Sequence, residues 1–506
     1  MPNPSAQDLA VAQLLSVLSG ATTKVHVAGV ERHGEKIILP QGMKTADAIE
    51  SLKRQLRYDE EKVKMSFDFN YFVWDGAYAL AKVMQDRYGF VFGEKSGFFS
   101  EPPTLIGIEI ELGKTVQVPW GTFSVPSVEA MFECGYVEKE GKLLFKLNIV
   151  TKHMYEEEIK SLHASVVSYL EKNSIYKGKA FGIRFTDDRG KSLLANGEIP
   201  TPKFLDVTKD RSKELVFPKH VAEQIETNLF TVLERLDQVR ESGIPVKRGI
   251  LLAGPYGVGK TLTAYVAARK AVTNGITYIY CQKPEEFANV MRMAAQYAPC
   301  LVFCEDVDRI VPSERDKAVD ELINIIDGVE TKNAEIVTVF TTNDVDSVNQ
   351  SLLRPGRMDA VIVVERADAQ AVQQLIRNYA GKYIQPGTDL TEIGEVLKGN
   401  IPAVIREVCE RSKLAALRRM PISAKLEFIP LDALKEAALT MKTQLDLLNR
   451  EPDEPKDPEE QIADGLKAIA ASITNPVITT PLTSRTMRVP TNAENGGMSV
   501  EIATRD

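Results

Sequence analysis

Gly254-Pro255-Tyr256-Gly257-Val258-Gly259-Lys260-Thr261-Leu262 is the stretch on which the fold turns. From Gly254 to Thr261 it satisfies G-x-x-x-x-G-K-[ST], between an apolar run, GILLA, and a helix-like run, TLTAYVAARKAV. The glycines let backbone N–H groups turn inward around an anion where β-carbons would obstruct. The positive end of the following helix faces the same point. Lys260 is then placed to reach the β- and γ-phosphates of a nucleotide, and the Thr261 hydroxyl to ligate Mg²⁺. Such a pattern arises by chance in about 2% of chains this long at average glycine usage, and the strand-before, helix-after setting lowers that several-fold. The spacing is not G-x-G-x-x-G, which argues against a dinucleotide fingerprint.

Outward from this loop, RGILLAG, ITYIYC, CLVFC, EIVTVFTTN and AVIVVE are apolar throughout and alternate with helical stretches. That pattern predicts buried parallel strands in a doubly wound α/β sheet over residues 206–366. Cys300–Cys304 ends in Glu305, Asp306 and, after Val307, Asp308. Strand C-termini converge on the ligand crevice of such a sheet, so these acids are expected to face the phosphates. There the chemistry needs one acid to hold Mg²⁺ and another to polarise the attacking water.

With these residues in place the segment from about 210 to 445 resembles the AAA ATPases. Glu305-Asp306 looks like that family's second motif, Thr341-Thr342-Asn343 like its sensor strand end, and Ser351-Leu-Leu-Arg354-Pro-Gly-Arg357-Met-Asp359 like its signature turn. The helical residues 367–450 resemble its C-terminal lid. The resemblance implies Glu305 and Thr261 on the magnesium side, Asp306 as the water-activating acid and Asn343 as the γ-phosphate sensor. It implies Arg354 and Arg357 as arginine fingers reaching a neighbouring subunit's nucleotide, hence a ring, typically a hexamer. ATP and Mg²⁺ are the cofactors it implies. Two bidentate cations beside a triphosphate suit the charge spread over transferring phosphoryl oxygens.

Three departures stand out. The acids run Glu-Asp rather than the usual Asp-Glu, an order similar to that of a mitochondrial inner-membrane branch of the family. The interval QKPEEFANVMRMAAQYAP lacks the aromatic–hydrophobic–glycine pore loop of many members, and Phe287 within it reads as a helix-packing residue. Gly399-Asn-Ile-Pro-Ala403 matches the family's adenine-side turn only loosely.

The resemblance does not reach residues 1–205. Residues 1–65 read as a helical or mixed segment, including TADAIESLKRQLRYDEEKV. Residues 66–205 read as an α+β domain: a helix near Asp75–Tyr88, the alternating runs TLIGIEIEL, KTVQVPWGTFSV, KLLFKLNIV and KAFGIRF, and the helix MYEEEIKSLHASVVSYLEKN. His153 and His163 lack a matching acid or nucleophile, so a recognition module is expected, whose removal leaves ATP binding largely intact. Beyond Arg450, EPDEPKDPEE is too acidic and proline-rich to pack, and 451–506 is expected to be mostly disordered tail.

Bulk properties agree with a soluble, multi-domain chain. It has 506 residues, 44% hydrophobic and 26% charged, with a formal net charge of −8 that gives no global drive toward nucleic acid. No apolar stretch suits a membrane span, and no basic region opens the chain as in a secretory signal, so cytoplasmic location is the default. Five cysteines make no disulfide framework. Cys300 and Cys304 have metal-pair spacing but lie in an apolar run without a second pair. The leading reading is an ATP-hydrolysing, chaperone-like ring that remodels a protein target held by residues 1–205. Its rivals are a nucleic-acid motor or loader, which is less favoured, and a nucleotide-gated scaffold with weak turnover.

Overall fold

The computed structural model describes residues 31–33, 36–38, 42, 44–89, 102–307, 334–344, 354, 356–422 and 424–448. Residues 1–30, where the helical or mixed segment begins, together with Asp308, Ser351 to Leu353, Pro355 and the tail 451–506, lie outside the described residues. The chain forms two compact units, residues 1–438 and 439–506.

The first unit begins with a short antiparallel pair, β1 (Glu31–His33) and β2 (Lys36–Ile38), then α1 (Thr45–Glu60). Next come β3 (Lys62–Phe69), α2 (Val73–Tyr88), β4 (Thr104–Glu111), β5 (Lys114–Val125), β6 (Ala130–Lys139), β7 (Lys142–Lys152) and α3 (Glu156–Asn173). These strands make an antiparallel sheet ordered β3-β7-β6-β5-β4. Burial alternates along β3 and β7, as a sheet with one covered face requires. The helix α2 lies so close to β7 that a β-carbon on Gly76 would stand 2.4 Å from the Phe145 side chain. Two of these strands escape the sequence reading. β3 shares only Lys62 and Val63 with the run expected to be helical and continues beyond it, and β6, AMFECGYVEK, hides its period behind Glu133 and Gly135.

The second sheet is built from β8 (Ala180–Ile183), β9 (Lys203–Phe204), β10 (Arg248–Ala253), β11 (Thr277–Cys281), β12 (Cys300–Cys304), β13 (Ile336–Thr342) and β14 (Ala360–Val363). Its order is β14-β10-β13-β12-β11-β8-β9, and every pairing is parallel except β8 with β9. The parallel α/β sheet expected from the apolar runs is therefore present. The run KAFGIRF belongs to it, not to the antiparallel sheet: Ala180 pairs opposite Tyr278 on β11. All four residues of β8 are buried, so the run carries no alternation to separate it from the other buried strands. Between the strands lie α4 (Lys219–Ile225), α5 (Thr231–Glu234), α6 (Leu236–Glu241), α7 (Lys260–Thr273) and α8 (Phe287–Gln296).

The two sheets share one apolar core. Phe69, Phe145 and Leu162 of the N-terminal part fall in the same buried cluster as Phe340 of the parallel sheet and Phe287 and Met291 of α8, the helix that follows β11. Polar contacts cross the same boundary. Trp74 Nε1 donates to the Pro200 carbonyl at 2.8 Å, and the Tyr297 hydroxyl donates to Asp75 Oδ2 at 3.1 Å while accepting from the Phe72 N–H at 3.0 Å.

After β14 the chain is helical: α9 (Ala369–Ala380), α10 (Thr391–Leu397), α11 (Pro402–Arg418) and α12 (Leu431–Leu448). Asp368 caps α9 by accepting from Ala371 N–H at 2.7 Å. The second unit is described only over 439–448, the end of α12. Among the described residues no helix is long and apolar enough to cross a membrane.

Candidate functional site

Strand order decides which side chains meet. β13 lies between β10 and β12, so the residue after β13 stands between the loop that follows β10 and the acids that follow β12. That residue is Asn343. Its Oδ1 accepts from Lys260 Nζ at 2.8 Å and its Nδ2 donates to Asp306 Oδ1 at 3.0 Å. Lys260 is buried, and its ammonium also donates to the carbonyls of Gly254 at 2.5 Å and Pro255 at 2.9 Å. Asp306 adopts φ +52°, a left-handed conformation that Asp tolerates better than most residues, and its N–H donates to Thr341 Oγ1 at 3.1 Å.

The loop 254–259 has the form of an anion cradle. Gly257 (φ +78°) and Gly259 (φ +114°) hold conformations that side chains rarely adopt, and Gly259 is the N-cap of α7. Val258 is buried beneath the loop, Leu262 is half-buried on α7 and Tyr256 is exposed. Two distant segments reach the cradle: a β-carbon on Gly259 would meet the Phe217 ring, and one on Gly257 would meet Ile401.

Thr261 is exposed at the mouth, and its hydroxyl donates to Glu305 Oε1 at 2.6 Å. A hydroxyl and a carboxylate so close, beside an anion cradle, form a hard-oxygen donor pair that fits Mg²⁺ together with phosphate oxygens. The other carboxylate oxygen, Glu305 Oε2, accepts from the Tyr280 hydroxyl at 2.5 Å. Burial and Glu305 together push the Tyr280 phenol well above its ordinary pKa, so it remains a donor. Tyr280 escapes the sequence reading, because its strand, TYIYC, carries two phenols and nothing local separates Tyr280 from Tyr278.

Arg354 and Arg357 stand elsewhere. Asp359 Oδ2 accepts from Gly249 N–H at 2.9 Å, and the Arg357 carbonyl lies against Gly249 at the start of β10. The phosphate loop follows the far end of that strand, and six residues rise about 20 Å. Neither arginine is brought to its own chain's loop.

The remaining candidates are packing residues. His163 stacks on Phe67 with centroids 4.5 Å apart, and burial lowers its pKa. His153 stacks on Tyr58. Phe287 is buried against Phe340. Cys300 and Cys304 are buried free thiols in β12.

A phosphate loop, an acidic strand end and a polar residue on the strand between define a P-loop nucleotide-binding domain. Residues 250–366 match the family model described as ATPase family associated with various cellular activities (AAA), and this stretch is an AAA domain. The chain is 31% identical over 215 residues to the ATPase family gene 2 protein of Saccharomyces cerevisiae, covering 38% of this chain and 27% of that protein. It is 29% identical over 248 residues to the ATP-dependent zinc metalloprotease FtsH of Thermus thermophilus, covering 43% and 40%. It is 24% identical over 213 residues to a proteasome-activating nucleotidase of Methanococcus maripaludis, covering 38% and 51%. The chain thus spans from about a quarter to half of these relatives' length.

Proposed function

We propose that this chain binds ATP with Mg²⁺ and hydrolyses it, in a ring whose neighbouring subunits complete one another's sites, to remodel a protein target. The observation that carries the reading is the linked set Lys260–Asn343–Asp306 with Thr261–Glu305 at the mouth of the cradle. Lys260 and the N–H groups of the loop bind the phosphates. Thr261 and Glu305 hold Mg²⁺, which when bound neutralises charge on the phosphate oxygens. Asp306, oriented by Asn343, takes a proton from water as the water oxygen bonds to the γ-phosphorus. The bond from that phosphorus to the bridging oxygen breaks, and ADP leaves with the electron pair. Arg354 and Arg357, remote from their own loop, serve the neighbour's site by stabilising the transferring phosphoryl group.

Protein remodelling is favoured over nucleic-acid work by the relatives' names, which speak of a metalloprotease and of proteasome activation. The N-terminal region is the proposed target-binding part. The test is phosphate release by Lys260→Ala, Arg357→Ala and their mixture. Each variant alone is expected to be inactive and the mixture partly active, because a mixed interface pairs an intact cradle with an intact finger. Verified mixed rings without recovery would count against action between subunits, and a parent without ATP hydrolysis would remove the reading altogether.

A further inference from the structure

We propose that Tyr280 is a positioning residue that fixes the magnesium-side acid, Glu305, a role that rests on the ATP–Mg²⁺ reading of this site. Glu305 is one methylene longer than an aspartate at the same place, so its carboxylate has an additional torsion to be fixed. Two hydroxyls fix it, one on each oxygen: Thr261 at 2.6 Å and Tyr280 at 2.5 Å. Thr261 must offer its oxygen to the metal, which makes it a poor permanent anchor. Tyr280 has no such second duty.

The fold sets the phenol in place from both sides. β11 pairs with β12, with Tyr280 opposite Phe303 and Cys281 opposite Cys304, the residue before Glu305. On its other side β11 pairs with β8, with Tyr280 opposite Gly182. A β-carbon on Gly182 would lie 3.9 Å from Tyr280 Cδ1, an ordinary van der Waals distance, so β8 runs directly beside the ring. The strand added from the N-terminal region thus flanks the residue that aims the acid. A hydrogen bond between a neutral donor and a carboxylate is among the stronger kinds, and it gives direction as well as energy.

Tyr280→Phe keeps the ring and removes only the hydroxyl. The expected result is that ATP binding without metal stays at the parent's level, while the Mg²⁺ concentration for half-maximal hydrolysis rises about 3- to 10-fold. The rate at saturating Mg²⁺ should stay within about twofold, since uniform loss of metal binding is cured by more metal. A second readout needs no turnover: the affinity of the ADP-loaded protein for Mn²⁺, measured by electron paramagnetic resonance, should fall by the same factor. A Mg²⁺ curve and a Mn²⁺ affinity matching the parent's would overturn the role of Tyr280. So would a lowered Mg²⁺ requirement, which would make the phenol a competitor for Glu305. Failure of the underlying reading looks different: Glu305→Gln would then also leave the Mg²⁺ dependence unchanged, or the parent would show none.

Discussion

At the scale of single residues the site is a chain of donors and acceptors with Asn343 at its middle. Lys260→Ala removes the ammonium that the loop carbonyls and Asn343 hold in place. It is expected to abolish ATP binding measurable by calorimetry, and parent-like affinity would refute the cradle. Asp306→Asn is the cleaner test of the chemistry. Asparagine accepts the left-handed backbone that Asp306 adopts at φ +52°, so the change removes the proposed base without straining the turn. Hydrolysis is expected to fall by about 10²- to 10⁴-fold with ATP binding retained. Undiminished phosphate release by the Asn variant would move the base elsewhere. The reversed acid order is accommodated by separate partners: Glu305 turns to Thr261 and Tyr280, and Asp306 turns to Asn343. Lys260, Thr261 and both acids stand out in the sequence because each is part of a contiguous motif. Tyr280 does not, because its meaning comes from strand adjacency and no local pattern marks it.

Elements explain why the two halves of the proposed machinery lie at opposite ends of the sheet. β10 carries the phosphate loop at its end, and its first residues hold the turn of Arg354 and Arg357. The contact is backbone on backbone: a β-carbon on Gly249 would lie 1.8 Å from the Arg357 carbonyl oxygen. Gly249→Ala must therefore displace that turn, whereas the cradle lies beyond the other end of β10, away from the clash. Its expected effect is at least a tenfold loss of hydrolysis in assembled rings, with ATP affinity within a few-fold of the parent. Parent-like turnover would show that the turn's position is unimportant. The loop after β11 is also held by backbone contacts. Buried Glu286 accepts from the N–H groups of Phe185 and Thr186, both at 2.9 Å, and Lys283 donates to the Asp187 carbonyl at 2.7 Å. In the sequence that interval shows only the lack of an aromatic tripeptide. Its tether is invisible there because it joins positions about 100 residues apart. The four central strands β10 to β13 are legible because two-sided burial makes them largely apolar, whereas β14 reads as apolar although it is the edge strand and exposes Val361 and Val363. β8 has the same signature, but on four residues next to an α+β pattern it is grouped with the wrong sheet.

For the whole molecule, the shared core changes what the N-terminal region is. Asp75 is fully buried where the two sheets meet, accepting from Ser174 Oγ at 2.5 Å, Ile175 N–H at 3.0 Å and Tyr297 Oη at 3.1 Å. Burial pushes its carboxyl from the ordinary 3.8 up to about 6, against the lowering effect of those three donors. The folded chain thus holds this proton more tightly than the unfolded one. Below about pH 4 both states are protonated and nothing is lost, and as pH rises toward 6 the fold forfeits about 3 kcal/mol at this residue. Asp75→Asn has no charge to bury, so its thermal midpoint should gain on the parent's as pH rises from 4.5 to 7; a constant gap would exclude the linkage. A larger consequence concerns truncation. The expectation of a detachable recognition module implies that a chain starting at residue 206 still binds ATP. Yet that cut removes β8 and β9 from the edge of the parallel sheet and leaves β11 unpaired on one side. It also uncovers Phe287, Met291 and Phe340, which are buried in the cluster they share with Phe69 and Phe145. An exposed sheet edge beside newly exposed aromatic surface favours association over folding. The shortened chain is therefore expected to melt well below the parent, to aggregate and to lose ATP binding through loss of fold, while its cradle sequence is intact. Circular dichroism melting and ATP calorimetry on both chains decide the point. A soluble 206–506 chain with the parent's melting midpoint and ATP affinity would restore the N-terminal region to the status of an appendage.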